Sequence, residues 1–223
     1  MAELFTTCLR QKAAGVWEAQ YQHPFVRGIG DGTLDLEKFK FWLRQDYVFL
    51  IEYARLLALA AARSPDLETM TRFTTLLKET VETEMNLHRA YAAEFGISYE
   101  QLEREPTAPT TRGYSDFLLR VAATGDFAEL VAALLPCMWA FSEIGQRLAM
   151  QSASCGQRYA EWIAMYSSRE FADLAQWCRG LLDNLAAGLP ERDLQKLETA
   201  FLTSSRYEWQ FWEMAWKMEA WPI

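Results

Sequence analysis

At 223 residues, 51% of them hydrophobic, the chain has apolar material for one sizeable core, and a single domain is expected. A formal net charge of -8 speaks against an extended cationic surface for phosphate backbones, so nucleic acid is a poor partner. No run approaches the roughly 20 uninterrupted apolar residues of a membrane helix, and the start, Met1-Ala2-Glu3-Leu4-Phe5, lacks the basic-then-apolar plan of a secretory signal; the expectation is a cytoplasmic protein with no membrane partner.

Apolar residues recur at helical spacing nearly throughout, and no alternating runs are joined by a two-residue glycine turn, so an all-α chain is predicted. A first helix is expected from about Glu3 to Tyr21, stopping before His23-Pro24 because the residue before proline is pushed out of the α region. Gly28, Gly30 and Gly32 then read as a loop. A second helix starts near Asp35, an N-cap candidate flanked by Leu34 and Phe39 as a hydrophobic staple, and runs to about Ala62 before Ser64-Pro65. A third spans about Leu67 to Phe95 with Gly96 as a left-handed stop, and Ser98-x-x-Gln101 caps a short helix ended by Pro106. After a helix over about Thr110 to Ala123, Asp126-x-x-Glu129 opens a long apolar helix to about Met150. Pro136 inside it should bend it or remove a backbone hydrogen bond. Helices over about Gln157 to Tyr166, from Ser167-x-x-Glu170 to Ala187, and from Pro190 to about Glu219 complete a bundle of long antiparallel helices with short connectors.

Cys8, Cys137, Cys155 and Cys178 are scattered with no C-x-x-C pair, which argues against zinc and thioredoxin-like sites and makes thiols the default, although an even count leaves disulfides open. Nine Trp, nine Tyr and thirteen Phe are enough rings to line a pocket as well as fill a core.

Cys137 lies in Leu134-Leu135-Pro136-Cys137-Met138-Trp139-Ala140-Phe141, where a cysteine is ordinarily a small core residue. The proline loosens the helix locally, and Phe141 and Glu143 at short range offer a ring and a carboxylate that would make the thiol a nucleophile. Asp46, in the apolar run Trp42-Leu43-Arg44-Gln45-Asp46-Tyr47-Val48-Phe49-Leu50, shares a face with Phe49 three residues on. A buried carboxylate there needs a cation or a ligand's N–H groups, or else it pairs with a neighbour on its own helix. Glu208 has Phe211 and Trp212 on its face, and such rings would raise its pKa and suit it to donate a proton; packing against the bundle with Glu208 paired to Arg206 or another cation is the plainer reading. Glu84 and His88 stand one turn apart, but with only two histidines in the chain a di-iron set has no second half, so His88 reads as a hydrogen-bonded structural histidine. His23 lacks the glycine-rich helix that would admit a haem face.

Taken together, His23-Pro24-Phe25, Gln45-Asp46, Glu84-Met85-x-Leu87-His88, Leu134-Leu135-Pro136-Cys137-x-Trp139 and Glu208-x-Gln210-Phe211-Trp212-x-Met214-Ala215 resemble the TenA/thiaminase II family in order and spacing over some 200 residues. The resemblance implies a haem-oxygenase-like helical fold without haem or other cofactor, a homotetramer, and a small-molecule substrate. The implied reaction is hydrolysis of 4-amino-5-aminomethyl-2-methylpyrimidine, or of thiamine, to the hydroxymethyl pyrimidine in thiamine salvage. Carried over by position, it implies Cys137 as nucleophile, Glu208 as proton donor, Asp46 as the carboxylate on the pyrimidine's amino group and ring nitrogen, and Tyr114, Tyr166 and Phe211 as pocket rings. Phe49 and Phe141 stand where the best-studied branch carries tyrosines, which removes a hydroxyl implied to assist the thiol and another that would hydrogen-bond substrate. A pyrimidine-binding or regulatory protein that does not turn its ligand over is the alternative reading, and a haem, di-iron or quinone-cofactor oxygenase on the same bundle is a third.

Overall fold

The computed structural model describes residues 3–151 and 157–222, so Cys155 lies outside the described residues, and no strand occurs among them. In chain order the helices are α1 (Phe5–Lys12), α2 (Ala14–Tyr21), α3 (Pro24–Asp31), α4 (Leu36–Arg63), α5 (Leu67–Glu79), α6 (Met85–Glu94), α7 (Tyr99–Glu103), α8 (Pro109–Thr124), α9 (Phe127–Gln151), α10 (Ala160–Tyr166), α11 (Arg169–Ala186) and α12 (Glu191–Lys217). A π-helical turn, Thr80–Glu84, joins α5 to α6, and a 3-10 turn, Gln157–Tyr159, precedes α10.

Short-range chemistry sets most of these ends. The Asp35 carboxylate accepts from the amides of Glu37 and Lys38 at 2.8 and 3.3 Å and opens α4. Ser98 and Gln101 form the reciprocal capping box that starts α7. Gly96, at φ 74°, closes α6 in a Schellman motif: its amide donates to the Ala93 carbonyl at 3.1 Å and the Ile97 amide to Ala92 at 2.8 Å.

Several boundaries differ from those expected. Ala13 interrupts the first helix, so α1 and α2 are separate. Gly28 and Gly30 are helical, not loop: Pro24 is the first residue of α3, its fixed φ suits that place, and the preceding His23 accepts the Phe25 amide on Nδ1 at 3.2 Å as the N-cap. Only Gly32, at φ 75°, ends that helix in the left-handed region. The expected third helix is divided by the π turn. Ser168, not Ser167, caps α11, accepting from the Phe171 amide at 3.2 Å. Helix α9 runs through Pro136, leaving the Ala132 carbonyl without its backbone donor. By length and mean composition α9 could cross a membrane, although Glu129 and Glu143 keep it from being a run of about 20 uninterrupted apolar residues. However, 72% of its most apolar window is buried within the protein, the pattern of a core helix.

The chain forms two compact units, one from the described residues of Met1–Leu34 and Ala128–Trp212, the other from those of Asp35–Phe127 and Glu213–Ile223. In the first, Trp17 lies edge-on to Trp139 at 5.1 Å and donates from its indole to Ser205 Oγ at 3.1 Å, while Phe25 meets Trp212 at 5.6 Å. In the second, α4 packs against α5, α6 and α8, and the Arg63 guanidinium at its end donates to the Ala122 carbonyl and, at 2.6 Å, to that of Gly125. Those carbonyls are among the ones a helix C-terminus leaves unsatisfied.

Candidate functional site

In the second unit, Trp42, Asp46 and Phe49 are spaced along one face of α4, and all three are buried. The partner of Asp46 is neither an arginine nor a neighbour on its own helix. His88 on α6 brings Nε2 to 2.6 Å from Asp46 Oδ2, while its Nδ1 lies 2.9 Å from the Glu84 carbonyl. A carbonyl oxygen only accepts, so Nδ1 carries hydrogen, and one further proton is shared between Nε2 and Oδ2. Burial pushes the imidazole's pKa down, but the hydrogen bond and charge of Asp46, with the carbonyl and charge of Glu84, outweigh it and raise His88 above its ordinary value. The geometry is therefore that of an imidazolium paired with a carboxylate, flanked by the Trp42 ring at 5.5 Å. His88 is hydrogen-bonded, as the sequence led us to expect, with both ring nitrogens engaged.

The adjacent Gln45 is wholly committed to structure. Its oxygen accepts from the Ala108 amide at 2.8 Å and the Thr111 hydroxyl at 2.9 Å, and its nitrogen donates to the Pro106 carbonyl at 2.9 Å and Glu105 at 3.3 Å. These bonds tie the turn before α8 to α4. Tyr114 on α8 is in turn stacked on Phe49 at 4.9 Å, and Tyr53 stacks with Phe49 at 5.7 Å. Tyr47, one residue from Asp46, points about 100° further round the helix: its hydroxyl donates to Glu103 and accepts from Arg89 at 3.2 Å, and burial with the Glu103 bond pushes its pKa up to about 12.

In the first unit, Cys137 and Phe141 are one turn apart on α9, Cys137 half-buried and Phe141 buried. Phe141 packs on Tyr166 at 5.0 Å and Trp212 at 5.1 Å, and Tyr166 on Trp162 at 4.7 Å. Gly145 makes this cluster possible, because a Cβ there would stand 2.5 Å from the Tyr166 carbonyl carbon and 2.7 Å from the Ser167 nitrogen. Glu208 and Phe211 are buried on α12 at 2% and 3% exposure, and Trp212 donates to Gln20 Oε1 at 3.2 Å. Arg206, one of the cations the plainer reading of Glu208 allows, is exposed. Glu143, the carboxylate offered at short range from the thiol, accepts from Tyr21 and, at 3.2 Å, from Arg10.

The other described cysteines are poor nucleophiles. Cys178 is fully buried and its thiol is pushed up to about 12 by that burial; Cys8 is raised by desolvation and by Glu3. A thiol that stays protonated at neutral pH is a weak attacking group. No group of three or more His, Cys, Asp or Glu placed to hold a metal ion occurs among the described residues.

Two residues were missed as parts of the site's construction. Gln45 carried only its place in the Gln45-Asp46 segment as a signal, and His88 carried a metal-like spacing from Glu84 whose true content is a backbone hydrogen bond.

A model of the TENA/THI-4/PQQC family matches residues 10–218. Over 218 residues the chain is 49% identical to an aminopyrimidine aminohydrolase of Halalkalibacterium halodurans, with 97% of each chain covered. A solved TenA homologue protein from P. horikoshii OT3 is similar at a TM-score of 0.89 and 30% identity, covering 96% of this chain and 99% of that one. A domain with a heme oxygenase-like fold from Shewanella denitrificans reaches a TM-score of 0.73 at 16% identity, covering 96% and 92%, a likeness of fold alone. The expected all-α, haem-oxygenase-like bundle is borne out.

Proposed function

The chain belongs to the TENA/THI-4/PQQC family, and from that membership we propose that it is a hydrolase of thiamine salvage. It would convert 4-amino-5-aminomethyl-2-methylpyrimidine, and thiamine, to 4-amino-5-hydroxymethyl-2-methylpyrimidine. The observation that carries this reading is the full-length likeness to an aminopyrimidine aminohydrolase. The buried, singly hydrogen-bonded Asp46 carboxylate agrees with it, because an aminopyrimidine presents N–H groups to such an acceptor.

In this reading Asp46 holds the amino group and ring nitrogen, and Phe49, Tyr114, Phe141, Tyr166 and Phe211 supply ring surfaces. The Cys137 thiolate adds to a ring carbon, and the displaced electron pair goes to the ring nitrogen, which Glu208 protonates. The electrons return through the ring to expel the amine or thiazolium from the methylene arm. Water adds to the exposed methylene carbon with loss of a proton to solvent, and expulsion of the Cys137 thiolate with return of the ring-nitrogen proton to Glu208 restores the aromatic ring, so acid, base and nucleophile suffice. The protein is further proposed to work as one catalytic domain, as a homotetramer, in the cytoplasm.

Ammonia release from the aminomethyl pyrimidine should be followed for wild type, Cys137→Ala and Cys137→Ser, with thiamine cleavage measured in the same samples. Turnover is expected in the wild type alone, while all three bind the hydroxymethyl product. Equal turnover by the serine variant would remove Cys137 as nucleophile. Ligand binding by the wild type without turnover would support a pyrimidine-binding protein, a reading favoured only by the absence of hydroxyls on Phe49 and Phe141.

A further inference from the structure

Burying an ion pair is costly unless its geometry is good and its remaining valences are met, and an apolar pair of similar volume often serves a core better. Asp46 and His88 are nonetheless 6% and 1% exposed, within α4 and α6. One side of the arrangement is complete, since both nitrogens of His88 are engaged. The other is not: among the described residues, Asp46 makes no side-chain hydrogen bond beyond the one on Oδ2. A carboxylate accepts about four, so Oδ1 and a lone pair of Oδ2 remain for something else.

The backbone is also adapted to deliver His88. A π turn accommodates a residue beyond the α-helical register, which rotates everything after it by one residue's step, roughly 100°. The turn Thr80–Glu84 ends at the residue whose carbonyl holds Nδ1, so one local irregularity sets both the face on which His88 emerges and the atom that orients its ring. Without the turn, the imidazole would be directed to another face of α6.

We propose that His88 is a positioning residue for pyrimidine recognition: anchored through Nδ1 on the Glu84 carbonyl, it fixes the Asp46 carboxylate through Nε2 so that Oδ1 is presented to the ligand's amino group. This rests on the assignment of Asp46 as the pyrimidine anchor. His88 acts only through Asp46, which places its effect on affinity and not on the bond-breaking steps.

Two amide variants separate the two sides of the ring. His88→Asn retains a donor near the place of Nδ1 and loses the reach to Asp46, whereas His88→Gln retains a donor near the place of Nε2. Both, with Asp46→Asn, should be assayed by calorimetric titration with the hydroxymethyl pyrimidine, by kcat and KM for the aminomethyl substrate, and by thermal unfolding. His88→Asn is expected to weaken binding and raise KM about tenfold with kcat within about threefold, while His88→Gln stays within about threefold of wild type in affinity. A purely structural histidine would lower Tm and leave the two variants equal in affinity, which would overturn the proposal. In 15N-histidine-labelled wild type, a downfield ring N–H signal that disappears in Asp46→Asn is expected, and its absence from the wild type would also overturn it. If Asp46→Asn weakens binding more than tenfold and His88→Asn does not, the positioning role alone falls. If Asp46→Asn binds as the wild type does, the Asp46 assignment and this inference fall together.

Discussion

At the scale of single residues, Gln45 shows how a polar side chain in a buried place can be wholly structural. Its two donors and two acceptor positions are filled by Pro106, Glu105, Ala108 and Thr111, so replacing it with an apolar residue strands buried groups on the turn before α8. Each such group costs roughly 1–3 kcal/mol when left unsatisfied. Gln45→Leu should therefore lower the unfolding free energy in urea by about 3 kcal/mol, with some loss of pyrimidine affinity because Tyr114 lies on the helix that Gln45 anchors. An unchanged urea midpoint would show that water meets those groups instead. Asp46, one position along, is the contrast: its chemistry is half met by the protein. In the sequence both residues were visible as polar interruptions of an apolar run, but nothing local distinguished the committed one from the one with capacity to spare, since their partners lie 42 to 66 residues away.

At the scale of elements, the decisive contact in the first unit is the approach of α9 to the end of α10. Gly145 lets the backbone at Tyr166 and Ser167 come within the space a methyl group would fill, and those are backbone atoms that cannot swing aside. Gly145→Ala must separate the two segments, at about 3 kcal/mol by the usual cost of overpacking. Because Tyr166 packs on Phe141, the same variant should weaken ligand binding, as equilibrium unfolding and calorimetric titration would reveal together. Wild-type stability in Gly145→Ala would mean that α10 yields at no cost. The sequence offered this glycine no turn or left-handed role. Asp35, Ser98 and Gly96 were legible, by contrast, because a cap acts within three or four residues of itself. The proline-led α3 differs from the loop that three glycines in five positions imply, because Pro24 is preorganised for a first helical turn and His23 caps it.

At the scale of the whole molecule, the titrating groups define a stability profile. His88 has a raised folded pKa, so its contribution is complete below its ordinary 6.5 and is lost as pH rises through the folded value; the charges facing it are Asp46 from α4 and Glu84 from the π turn. Cys178 and Tyr47, both raised to about 12, add a loss beginning above their ordinary 9.0 and 10.0. Asp31 and Asp66, which are exposed, and Asp193, which is half-buried, are all lowered from 3.8; they contribute only above that value and lose their effect in acid. Unfolding free energy should thus be greatest between about pH 4 and 6.5 and decline in steps on the alkaline side. His88→Asn should flatten the first alkaline step, and a variant profile parallel to that of the wild type would assign that step to other groups.

Helix after helix, the all-α character, the main caps and the family resemblance were already present in the order of residues, because hydrophobic period and capping are properties of a few neighbours. Only folding decided that Asp46 would meet His88, that Gln45 would secure α8, that Glu143 would be taken by Arg10 and Tyr21, and that Gly145 would be a point of contact. Those outcomes depend on side chains brought together from distant parts of the chain, where burial makes every unmet hydrogen bond costly and so selects one arrangement among the many that local pattern allows.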